Sequence, residues 1–186
     1  MKLKKINAVL GLLSILLMLL HIGYSVFAYF TMYYNPVLKY VFAVPFMVMV
    51  CLHAICGMMT VFTQGDGTRM DLYPNQNMRT VLQRLSAALI FPFLILHLYT
   101  FTLMNNSATS GKIIYVILLI IAEVLFFATV ITHVSVSITK AFITLGILSS
   151  KELMNKIDKV IYIVNAVVFV LAVVAIVRGQ IIMFLS

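Results

Sequence analysis

Residues 113–140 read IIYVILLIIAEVLFFATVITHVSVSITK. Neither Gly nor Pro interrupts them, and the apolar side chains fall on every face of a helix rather than on one stripe. A helix rising about 1.5 Å per residue over that length exceeds the ~30 Å of a bilayer's hydrocarbon. A helix apolar all round is buried in a large core or in lipid, so the stretch predicts a membrane span. Its ionisable interruptions are Glu123, His133 and, at its end, Lys140.

Working outward, four more apolar stretches run over residues 6–30, 38–63, 84–104 and 159–184. With 63% hydrophobic residues and a mean hydropathy of +1.13 in 186 residues, the chain lies outside the range of soluble domains. The expectation is an all-α, integral membrane five-helix bundle, a single domain over 1–186. The first stretch resembles a signal peptide, because Lys2, Lys4 and Lys5 precede it. It runs on through Tyr24 to Phe30 without a small-residue cleavage site, and so reads as the first helix. Cys51 and Cys56 share one apolar run, too close along a helix for a relaxed disulfide, and read as small buried apolar residues.

Ten of the thirteen Lys and Arg fall at one end: Lys2, Lys4 and Lys5, then Arg69, Arg79 and Arg84, then Lys140, Lys151, Lys156 and Lys159. Lys39, Lys112 and Arg178 fall at or towards the other. The basic end is expected in the cytoplasm, with the amino terminus, and the carboxyl terminus outside. Such a distribution also accounts for the net charge of +8 without a nucleic-acid surface. Two polar loops at the basic end, 64–84 and 144–159, offer a docking surface to a soluble partner. The loops at the opposite end, around Tyr33–Pro36 and Asn105–Ser107, are short.

The four histidines, His21, His53, His97 and His133, stand one on each of the first four spans. An ionisable ring in hydrocarbon needs a partner or a metal. Counted at about 1.5 Å per residue from the basic end, His21 and His97 lie about 22 and 20 Å deep and His53 and His133 about 15 and 10 Å. The two depths sort the rings into an outer pair, His21 with His97, and an inner pair, His53 with His133. Bis-imidazole iron uses this arrangement: two neutral rings from different helices fill both axial positions and favour electron transfer over oxygen binding. Two b haems at two depths follow as the expectation.

Neighbouring residues bear on the same chemistry. Gly57 and Ser137 stand four residues beyond His53 and His133, on the ligand faces, where small side chains leave room for a flat macrocycle. Lys140, with Arg84, Gln83 and Ser86 at the start of the third span, suits haem propionates; the alternative for the two cations is membrane anchoring. Pro92 is expected to bend the third helix and free a carbonyl. Glu123, an acid deep in a span, reads either as a proton relay or quinol-proton acceptor near the outer haem, or as a carboxyl bonded to a neighbouring helix.

Leu52-His53-Ala54-Ile55-Cys56-Gly57, and Gln83-Arg84-Leu85-Ser86-Ala87 followed by His97, resemble motifs of the membrane anchor of succinate:quinone oxidoreductases. Five helices with histidines on the first four match its single-polypeptide, dihaem cytochrome b form over essentially the whole chain. Ala87 stands where that pattern has Gly, and the chain has no Trp. The resemblance implies that His53 and His133 ligate the haem proximal to a cytoplasmic iron–sulfur subunit, and His21 and His97 the distal one. It further implies a partner flavoprotein with FAD, succinate or fumarate chemistry outside this chain, and a membrane quinone, menaquinone or ubiquinone, as electron carrier. The expected location is the cytoplasmic or inner membrane. Competing readings are a cytochrome b subunit of another dehydrogenase or hydrogenase, and a haem-free five-helix protein whose histidines line a polar path.

Overall fold

The structure is a computed structural model that describes residues 2–64 and 74–185, with side chains over 2–63 and 78–185. Five helices account for nearly all of it: α1 (Lys2–Thr31), α2 (Pro36–Gln64), α3 (Pro74–Thr109), α4 (Ile113–Leu145) and α5 (Lys151–Phe184). All five are long and apolar enough to cross a membrane. Their large side chains turned outward are Leu, Ile, Val, Met, Phe and Tyr along most of their length, a surface that water would not tolerate and lipid does.

Each helix outruns the apolar stretch that marks it. α3 begins ten residues before 84 and α5 eight before 159, so much of both expected basic-end loops is helical. The 144–159 loop shrinks to residues 146–150. Gly146, at φ +80°, reverses the chain after α4, and the Ser150 hydroxyl caps α5 by accepting from the Leu153 amide. Of the 64–84 loop, residues 65–73 lie outside the described residues. Asn105–Ser107 likewise belong to α3, and the turn follows at residues 110–112, with Gly111 at φ +68°. The first turn at that end falls where expected. The Asn35 side chain caps α2 by accepting from Val37 and Leu38, and the Tyr24 hydroxyl holds both the Asn35 amide and carbonyl at 2.8 Å. Pro45 and Pro92 sit inside α2 and α3, which continue through them. Cys51 is exposed on the outside of α2, contrary to the expected burial, and both thiols are free.

The packing order is what positions the histidines. α1 packs on α2, α4 and α5, and α4 packs on α1, α3 and α5. Among the described residues no Cα of α2 comes within 8 Å of α3, α4 or α5, and none of α1 comes within 8 Å of α3. The first four helices therefore form three sides of a square, α2–α1–α4–α3, open between α2 and α3. α5 lies across α1 and α4, and its small residues Ala172, Ala175 and Gly179 are buried against them. At Gly179 even a methyl group would fall 2.2 Å from the Tyr29 ring, so that contact between α1 and α5 requires glycine.

At the basic end a polar clamp joins three helices. Arg79 of α3 donates Nη1 to Asp158 Oδ2 of α5 at 2.7 Å and Nη2 to Oδ1 at 3.1 Å, while Thr139 of α4 donates to the same carboxylate. Deeper in, Asn165 of α5 donates to Ser135 of α4 at 2.8 Å.

Candidate functional site

Neither diagonal of the open square, α2 to α4 or α1 to α3, brings backbones into contact, and the helices of each diagonal carry one histidine apiece. On the first diagonal the His53 and His133 rings are neighbours in an edge-on arrangement, with centroids 6.4 Å apart and planes at 65°. A metal–imidazole bond is about 2.0 Å long and the ring centre lies about 1 Å behind the nitrogen, so two rings sharing one iron have centres roughly 6 Å apart. The observed separation fits that arrangement.

The tautomers follow from the hydrogen bonds. His53 Nδ1 is 3.1 Å from the main-chain oxygen of Asn7, and His133 Nδ1 is 3.0 Å from that of Gln83. A carbonyl oxygen only accepts, so each Nδ1 carries the proton and each Nε2 keeps its lone pair. Ser86 Oγ lies 3.2 Å from His133 Nδ1, with its own proton directed at the Leu82 carbonyl 2.6 Å away. Metal-bound imidazoles are held in this way, by a donor bond from the nitrogen that does not bind metal. Asn7 Oδ1 and Ser137 Oγ, both in this neighbourhood, are buried without a partner, leaving polar capacity there for a bound group.

On the second diagonal His97 Nδ1 lies 2.7 Å from Glu123 Oε2, and Thr100 donates to Glu123 Oε1 at 2.8 Å. Both Glu123 oxygens are thus engaged with α3, as the neighbouring-helix reading anticipated, and the carboxyl bonds the candidate ligand directly rather than merely bordering its cleft. His21, on α1, is the other histidine of this diagonal. Its ring stacks on Phe46 at 5.6 Å, and its Nδ1 is buried without a partner. Phe126 covers His97, with centroids 5.1 Å apart. Gln180 of α5, 2% exposed, also has a buried and unpartnered Oε1.

Lys140 points into the basic-end cluster as expected, donating to Thr80 Oγ1 at 2.6 Å and Gln83 Oε1 at 3.1 Å. Among the described residues no carboxylate pairs with Lys140 or Arg84, because Asp158 takes Arg79 and Glu152 takes Lys156. Two cations and an amide beside His133 suit an anionic substituent.

At Gly57 a methyl would meet Asn7 Oδ1 of α1 at 3.7 Å, an ordinary van der Waals contact. The glycine that serves the ligand is Gly11, where a methyl would fall 3.0 Å from His53 Cε1 and 3.3 Å from Nδ1. Gly11→Ala is therefore expected to push the His53 ring by a few tenths of an ångström and shift the spectrum of whatever His53 binds. Gly23→Ala, with nothing within 4 Å, is expected to leave it unchanged. Equal spectra for the two variants would contradict the close approach.

No protein-family model, curated protein or solved structure matches the chain. Among the described residues no three His, Cys, Asp or Glu side chains gather as a metal cluster. An iron that takes four of its ligands from a porphyrin asks only two of the protein, and two is what each diagonal offers.

Proposed function

We propose that the chain is the membrane anchor and electron-transfer subunit of a succinate dehydrogenase or fumarate reductase complex, holding two b haems and exchanging electrons with a membrane quinone. The observation that carries this reading is the His53–His133 pair. Two rings on helices without backbone contact have centroids 6.4 Å apart, a spacing a shared iron would suit, and each has Nδ1 bonded to a main-chain carbonyl.

Bound haem would supply one-electron transfer. The chain's own residues do the rest. His53 and His133 hold the inner group from α2 and α4, and His21 and His97 the outer one from α1 and α3. Gln83 and Ser86 fix the His133 tautomer. Lys140 and Arg84 meet the propionates, and the lipid-facing helices keep water from the path. Glu123 belongs to the holding of His97 rather than to proton relay, on the strength of its bonds to α3.

In this reading ten of the thirteen basic residues place the amino terminus, the inner pair and the Arg79–Asp158 clamp at the cytoplasmic face, and the carboxyl terminus outside. That face takes the iron–sulfur subunit and, through it, the FAD flavoprotein. Quinone, menaquinone by the family resemblance, reacts in the opposite half, where Tyr29 and the unpartnered oxygen of Gln180 supply polar groups. The location is the cytoplasmic or inner membrane.

Pyridine haemochrome analysis of the purified protein tests the reading and is expected to give two b haems per chain, both low-spin. One haem would remove a diagonal, and none would overturn the proposal. Co-purification of flavin and iron–sulfur subunits separates this complex from another quinone-linked dehydrogenase or a hydrogenase.

A further inference from the structure

The helices do not share their neighbours evenly. Each of α1, α3, α4 and α5 packs against at least two others, whereas α2, among the described residues, packs against α1 alone. None of the described side chains of α2 is buried. Its ties to α1 gather at the outer end. The Tyr24 hydroxyl holds the Asn35 backbone, the Tyr24 and Phe42 rings lie 5.7 Å apart, and His21 stacks on Phe46 at 5.6 Å. Pro45, inside the helix, leaves α2 one main-chain hydrogen bond short between that end and His53. Towards the basic end the tie is His53, through the Asn7 carbonyl of α1 and the neighbouring His133 ring of α4. Three sides of the square are closed by packed helices, and the side between α2 and α3 is not. A planar tetrapyrrole, apolar over most of its area, dissolves in lipid. Through that side it reaches the space between His53 and His133 without parting packed helices.

We infer that α2 is a lateral gate: its basic-end half swings about the pinned outer end, admits an iron tetrapyrrole from lipid between α2 and α3, and is latched when His53 and His133 take the iron's two axial positions. The inference rests on the inner haem of the reading above. A hinge at the end of an element needs only a few residues to absorb the motion. The latch works by differential affinity. With α2 swung away His133 alone can bind, so the ligand favours the closed position by one metal–imidazole bond.

Pulsed dipolar distance measurements in lipid nanodiscs test it, on the full chain purified without haem and then titrated with hemin, in a Cys51→Ala, Cys56→Ala background. One spin-label pair, at Phe62→Cys and Leu85→Cys, spans the basic-end halves of α2 and α3. A reference pair, at Ile6→Cys and Ile143→Cys, spans those of α1 and α4, and all four positions are exposed. Before hemin the α2–α3 distance distribution is expected to be the wider of the two. Hemin is expected to abolish that excess width and to leave the reference pair unchanged. His133→Ala, which removes the latch without touching α2, is expected to lose the narrowing. Equal widths before hemin, narrowing of both pairs together, a low-spin optical band formed without narrowing, or narrowing that persists in H133A overturns the gate and leaves the dihaem reading in place. Hemin that gives no low-spin band removes the dihaem reading and the gate together.

Discussion

Replacing His53 or His133 with Ala is expected to abolish one of the two b-type spectral components and leave the other in place. Each of these rings is the sole contribution of its helix to the inner pair, and their centroids lie 6.4 Å apart. No nearby histidine replaces either ring, because the other two histidines belong to the second diagonal. On the dihaem reading, loss of one of these two rings is expected to take inner-haem occupancy from near full to near zero. It also empties the space between α2 and α4, where no backbone contact compensates. His21→Ala and His97→Ala are expected to abolish the other component. Optical and paramagnetic resonance spectra of the four variants check this directly. If His53→Ala and His133→Ala removed different components, the pairing by diagonals would be wrong.

Asp158→Ala is expected to destabilise the bundle by about 3 kcal/mol, the cost of stripping a largely buried ion pair of one partner. The carboxylate takes both Arg79 Nη atoms and the Thr139 hydroxyl, tying α5 to α3 and α4 in one place. Without it the guanidinium remains among low-dielectric neighbours, and Arg79 Nε already has no partner. The effect should reach the inner pair. Arg79 lies one turn before Gln83, whose carbonyl orients His133 and whose amide meets Lys140. Thermal denaturation in detergent, followed at the inner haem band and by helix content, is expected to show the inner band failing first. A variant as stable as wild type would mean that the other helix contacts suffice.

The apolar runs made the number and order of the helices legible, but not their ends. A hydropathy run measures how much helix lies in hydrocarbon. The helix itself continues wherever its backbone is satisfied, as α3 does through Asn105–Thr109 and α5 does from the Ser150 cap. The histidines were legible because each is isolated in an apolar segment, and counting residues along the helices was enough to bring His53 to His133. Their supports were less so. The main-chain oxygens of Asn7 and Gln83 carry no sequence signature, since every residue has one. Gly11 was one glycine among eight until its contact with His53 marked it. Asp158 and Arg79 lie far apart in sequence, and only the packing of α5 across α4 brings them together. Glu123 was visible as an acid in lipid. That it reaches His97 depended on the rotation of α3 against α4, which no single-helix count supplies.

The main-chain bonds to His53 and His133 have a hereditary consequence. A carbonyl persists through any point mutation that leaves the helix intact, so as far as ligand orientation goes, positions 7 and 83 are free to drift. The bond to His97 depends on one codon, that of Glu123. Lineages descended from this chain would therefore vary in how the outer ring is held long before they varied in the inner one.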